Sequence, residues 1–95
     1  MGKVTVVAKV TVKAEGLERV REELVKMLAP TRAEKGCIEY RLHQDNDNPR
    51  VFMFYESWEN MGCLESHMNS PHFKNYVAAV ADLLEDKVVH KLTEV

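Results

Sequence analysis

Val51-Phe52-Met53-Phe54-Tyr55-Glu56-Ser57-Trp58 is apolar on both of its alternating faces, Val51, Met53 and Tyr55 on one and Phe52, Phe54 and Trp58 on the other. Side chains alternate across a strand with a period of two, so such a segment belongs inside a sheet with material packed on each side. It carries one anomaly. Glu56 shares its face with Phe52, Phe54 and Trp58, and a buried carboxylate needs a partner because an unpaired buried charge is costly.

Upstream, Asp45-Asn46-Asp47-Asn48-Pro49 is a dense turn signal. It is preceded by a second strand over 37–44, with Ile38, Tyr40 and Leu42 on one face and Glu39, Arg41 and His43 on the other. Residues 3–13 also alternate, with Val4, Val6, Ala8, Val10 and Val12 on one face. Between these strands Leu17, Val20, Leu24 and Leu28 recur at helical spacing, Pro30 bends or ends the regular part, and Gly36 closes the segment. Downstream, Asn60 caps a short helix that presents Leu64, His67 and Met68 on one side. Ser70-Pro71 starts another, with Phe73, Tyr76, Val77, Val80 and Leu84 as its apolar stripe. Residues 86–95 alternate again and make a last strand.

The order β-α-β-β-α-α-β predicts an α+β, ferredoxin-like domain spanning residues 1–95, with helices on one face of an antiparallel sheet. The valine-rich first strand and the two-sided third strand predict that the other sheet face is covered as well. A two-fold homodimer, sheet against sheet, is the expected solution. It also suits a chain of 95 residues, whose own core is thin.

Hydrophobic residues make up 45% and charged residues 29%, with a net charge of -2. This balance gives no electrostatic drive toward nucleic acid or anionic lipid, and no apolar run reaches the length of a membrane span. The N-terminus enters its alternating pattern without the features of a signal peptide. Cys37 and Cys63 lack metal-type spacing and read as reduced thiols, so the expected location is the cytoplasm.

The density of titratable groups lies between Glu56 and His72. His67 and His72 stand five apart across the expected break between two helices. Imidazole titrates near neutrality, so two of them facing Glu56 at the mouth of a cavity suit proton transfer, the carboxylate fixing a tautomer. Helix-end histidines on the surface would give the same pattern. A metal held by His67, His72 and Glu56 is a third reading, but the spacing is not that of a two-histidine helical motif and no fourth ligand stands out. Arg41 is a possible partner for Glu56, as a cross-strand ion pair or as an anion holder. Trp58, Phe54, Tyr76 and Phe73 serve either as core or as the wall of an apolar pocket.

Pro30 with Gly36-Cys37-Ile38-Glu39-Tyr40, then Tyr55-Glu56-Ser57-Trp58-Glu59-Asn60, then Leu64-Glu65-Ser66-His67-Met68-Asn69-Ser70-Pro71-His72-Phe73-Lys74 closely resemble the antibiotic biosynthesis monooxygenase (ABM) domain family, and within it the bacterial quinol monooxygenases. The resemblance covers nearly the whole chain. Its specific part is the E-x-W followed by H-x4-H. It implies a dimeric α+β barrel with one pocket per subunit between helices and sheet. It also implies oxygenation of a quinol, an anthrone or a similar phenol without flavin, haem or metal. On this resemblance His67 or His72 is the base, Glu56 its orienting partner, Arg41 and Tyr76 anion contacts, and Trp58 and Phe54 the wall. One branch of the family degrades haem through an Asn, a Trp and a His ligand. Here His67 stands in place of that Trp, Val77 and Ala79 occupy the helix where a ligand would be expected, and the first strand has no Asn. Another branch isomerises the phosphorylated autoinducer-2 signal and shares the H-x4-H segment, and related barrels bind ligands without turnover.

Overall fold

The computed structural model describes residues 2–95. Its sheet has four strands, β1 (Val4–Val12), β2 (Cys37–Gln44), β3 (Val51–Trp58) and β4 (Leu84–Leu92), in the order β2-β3-β1-β4 with every neighbouring pair antiparallel. β3 is therefore an inner strand, as its two-sided apolar pattern requires. The helical segments α1 (Leu17–Lys26), α2 (Leu28–Arg32), α3 (Met61–Met68) and α4 (Pro71–Val80) complete the ferredoxin-like α+β fold. None is long and apolar enough to cross a membrane.

Register decides what each face carries. Val4, Val6, Ala8 and Val10 of β1 stand opposite Trp58, Glu56, Phe54 and Phe52 of β3. All of these except half-buried Ala8 are buried, together with Val20 and Leu24 of α1, Leu64 of α3 and Tyr76 and Val80 of α4. Each fully buried aliphatic side chain of this kind contributes roughly 1.5–3 kcal/mol, so this inner face drives the fold. The outer face is less covered: Met53, Tyr55 and Leu92 there are exposed.

Three elements differ from the sequence reading. The first helix breaks after Lys26, not at Pro30. Proline lacks the N–H that would bond the carbonyl four residues back, which is that of Lys26, and Pro30 sits instead in the first turn of α2, where no such donor is needed. In β2, Cys37 pairs with Trp58 but Glu39 pairs with Ser57. That is a one-residue bulge. It shifts Ile38 off the face it would share with Tyr40 and Leu42 and leaves it 44% exposed. At the C-terminal end α4 stops at Val80, and Leu84 opens β4 opposite Val12 instead of extending the helix stripe, while β4 ends at Leu92.

The helix starts follow their caps. The Asn60 side chain accepts from Cys63 N at 2.9 Å. Ser70 Oγ accepts from Phe73 N at 3.3 Å, with Pro71 as the first helical residue. The same hydroxyl donates to the carbonyl of His67 at 2.6 Å. One serine thus begins α4 and closes the end of α3, which fixes the angle between the segments that carry His67 and His72.

Candidate active site

A cavity of about 200 Å³ opens between the inner sheet face and the helices, walled by Val6, Ala8 and Val10 of β1 and by Tyr40, Phe54 and Tyr76. Ala8 stands in a row of valines, opposite Phe54 on one side and Val89 on the other. The missing bulk at that position leaves room at the centre of the sheet. A dry cavity of roughly 150 Å³ is enough to take up benzene, so this one admits a substituted ring.

His67 and Glu56 both line this cavity. His67 is only 2% exposed. Its ring lies among those of Trp58 at 4.8 Å, Phe73 at 5.1 Å and Tyr40 at 5.6 Å between centroids. Its Nδ1 is 2.7 Å from Glu34 Oε2, the spacing of a charge-assisted hydrogen bond. Nδ1–H donating to that carboxylate leaves Nε2 as the basic nitrogen. Burial lowers the pKa of His67, against the opposing pull of Glu34, so the neutral imidazole is favoured.

His72 Nε2 is also 2.7 Å from the same oxygen of Glu34, and 3.3 Å from Ser70 Oγ. Unlike His67 it does not line the cavity; it faces a surface cleft beside Glu23, Lys26 and Asn75. The two histidines are thus brought together by one carboxylate oxygen, with only His67 against the cavity. The same three side chains place their donor atoms within 4.8 Å of one another, a two-histidine, one-carboxylate set able to hold a divalent ion.

The carboxylate expected beside the histidines was Glu56, and this is corrected. Glu56 Oε1 accepts from Trp58 Nε1 at 2.9 Å, and the residue bonded to both imidazoles is Glu34. Burial raises the pKa of Glu56 to about 7, the Trp58 bond opposing and the charge of Glu34 adding. It is a cavity-lining carboxyl that gives up its proton only around neutrality instead of in the ordinary carboxylate range. Arg41 is corrected as well. It lies opposite Tyr55 on the outer face, where its guanidinium meets Glu39 Oε2 at 3.1 Å, because odd-numbered residues of β2 beyond the bulge point away from the helices. Trp58 is fully buried and backs His67 instead of lining the cavity. Phe54 and Tyr76 do line it, and burial pushes the Tyr76 phenol up to about 12.

Glu34 escaped the sequence reading because it lies in a short connection where no periodicity applies. The structure explains how it is delivered. Its N–H donates to the Thr31 carbonyl at 3.0 Å, and its own carbonyl accepts from Cys37 N at 3.2 Å. Gly36, at φ 86°, turns the chain into β2. A Cβ at Gly36 would stand 2.7 Å from that of Cys63 on α3, so glycine allows both the left-handed turn and the close approach that carries Glu34 to His67. That glycine was the one available signal.

The ABM (antibiotic biosynthesis monooxygenase) family model matches residues 3–79. "Putative monooxygenase Rv0793" of Mycobacterium tuberculosis is 36% identical over 81 residues, 85% of this chain and 79% of that one. A Synechocystis protein, sll1783, is 37% identical over 57 residues, 60% of this chain; the match spans only 39% of that protein's length. Among solved structures, PA3566 from Pseudomonas aeruginosa superposes with a TM-score of 0.95 at 32% identity, covering 100% of this chain and 96% of the other. With the family model matched across β1 to α4, and with relatives alike in both sequence and fold, the chain belongs to the antibiotic biosynthesis monooxygenase family.

Proposed function

We propose that this protein is a monooxygenase acting with molecular oxygen on a small electron-rich phenol such as a quinol or an anthrone, with His67 as the base. The observation that carries the reading is the buried His67 ring at the cavity wall, with Nδ1 bonded to Glu34. His67 Nε2 takes the phenolic or acidic C–H proton, and Glu34 stabilises the imidazolium that forms. The resulting anion is a one-electron donor to oxygen. Superoxide and the organic radical then recombine to form a C–O bond, and the peroxide anion takes the proton back from the His67 imidazolium to give a hydroperoxide. Loss of water leaves a carbonyl, so one oxygen atom enters the product, the other leaves as water, and the substrate supplies all four electrons. Such a substrate activates oxygen itself, so the reading calls for no flavin, haem or metal. The family membership and the monooxygenase names of relatives support it.

The wall of Val6, Ala8, Val10 and Phe54 beside His67 suits an aromatic ring better than the hydroxylated carbon chain of a sugar phosphate, which ranks autoinducer isomerisation second. A non-catalytic ligand-binding role ranks below both, because a pure binder of apolar rings has no need of a buried, carboxylate-bound histidine.

The test is oxygen uptake with a reduced naphthoquinol in chelator-treated buffer. Uptake is expected to exceed the spontaneous rate and to fall by about 10²–10⁴-fold in His67→Ala. Uptake equal to the uncatalysed rate, or unchanged in the variant, would sink the proposal.

The working unit is proposed to be a homodimer that buries the outer sheet face, where Met53, Tyr55 and Leu92 are exposed. Light scattering at micromolar concentration should give twice the mass of the chain, and a monomer there removes the idea. The two free thiols, Cys37 and Cys63, suit the reducing cytoplasm.

A further inference from the structure

The cavity has a second chemistry at its far side. β4 is an edge strand, and its register turns Lys87, Val89 and Lys91 onto the inner face, opposite Val10, Ala8 and Val6. All three line the cavity. The lysines flank Val89, four positions apart or about 13 Å along the strand, a span that two flexible lysine side chains can close over one group. Lys87 Nζ already leans inward, 6.0 Å from the centroid of Phe73. Neither lysine is in an ion pair among the described residues. Among the described residues the acid lining this cavity is Glu56, whose pKa burial raises to about 7, so it carries only part of a negative charge at neutrality. The cavity therefore has apolar walls, a base in its interior and two unpaired cations at its β4 edge.

We infer that the ligand of this site is an aromatic acid, its ring between β1 and the helices, its reacting hydroxyl toward His67 and its acid group held by Lys87 and Lys91. The arrangement sets a polarity along the molecule: the group that gives up a proton goes in, and the group that is already an anion stays at the rim. This rests on the pocket reading above and narrows its substrate class. Charged residues turned inward on an edge strand also guard against edge-to-edge pairing, and that role alone gives no preference between an acid and its neutral analogue.

The experiment compares 6-hydroxy-2-naphthoate with its amide by calorimetry at low ionic strength, where exposed charges are least screened. The acid is expected to bind about fivefold to tenfold more tightly. In Lys87→Met/Lys91→Met the preference should fall to within about twofold while amide affinity holds, which also reports that the fold is intact. Lys91→Glu should reverse it. Equal affinity for acid and amide, a preference that survives the double variant, or no binding of either compound overturns the inference. Binding is read without turnover, so a protein that prefers the acid yet never consumes oxygen would sink the monooxygenase reading and leave this one standing.

Discussion

Two carboxylates serve this site from opposite kinds of structure. Glu56 comes from the middle of β3, locked by strand pairing on both sides to Val6 and Tyr40. Glu34 comes from the connection between α2 and β2, held by two backbone hydrogen bonds and a glycine turn. Among the described residues the strand carboxyl bonds only to Trp58, and burial drives it toward its neutral form. The loop carboxylate binds two imidazoles through one oxygen. The rigid element thus supplies a carboxyl with a raised pKa, and the loop supplies the anion bonded to His67 and His72. Sequence position on a regular element is no guide to which acid does which task.

The comparison breaks most visibly if the loop carboxylate is removed. Glu34→Gln keeps the shape but no longer fixes the Nδ1–H tautomer of His67 or stabilises its imidazolium. Oxygen uptake should fall at least about 100-fold, and an undiminished rate would mean that Glu34 is only structural. His72→Asn, which leaves the Glu34–His67 bond in place, should cost far less.

The strand carboxyl should announce itself through stability instead. Its folded pKa of about 7 lies above the ordinary carboxylate value of 4.5. The folded state therefore binds more protons between those values, and the contribution of Glu56 is fully present below pH 4.5 and lost as pH rises through 7. Glu56→Gln, which keeps an acceptor for Trp58, should gain stability relative to the parent by about 3 kcal/mol between pH 4.5 and pH 8. Denaturant unfolding at the two pH values checks this, and a difference independent of pH would contradict it. His67 acts in the opposite sense. Its lowered pKa means stability present above pH 6.5 and lost as pH falls toward the lowered value. The parent protein is thus pulled from both sides.

The same contrast explains what could be read from the sequence. The four strands and the burial of Glu56 follow from period-two patterns, which record which residues face inward, and the two helix caps follow from Asn60 and Ser70-Pro71. His67 and His72 were legible as a pair because the serine and proline between them mark a helix junction. Glu34 was not, since a connection has no periodicity to betray a side chain that folds back. Arg41 was misplaced for a related reason: pairing it with Glu56 needed the register of β2, and the bulge at Ile38 is invisible without the partner strand. Lys87 and Lys91 belong to the alternating tail, but which of its faces turns inward is fixed only by pairing with β1.

Ala8 carries a consequence for how such a protein can diversify. The hollow depends on one small side chain within a strand whose backbone is paired on both sides. Trading that residue for a slightly larger or smaller one changes the size of guest the cavity admits while every main-chain hydrogen bond stays where it was. The volume of the hollow and the pairing of β1 are thereby set by different atoms, the one by a side chain and the other by the main chain.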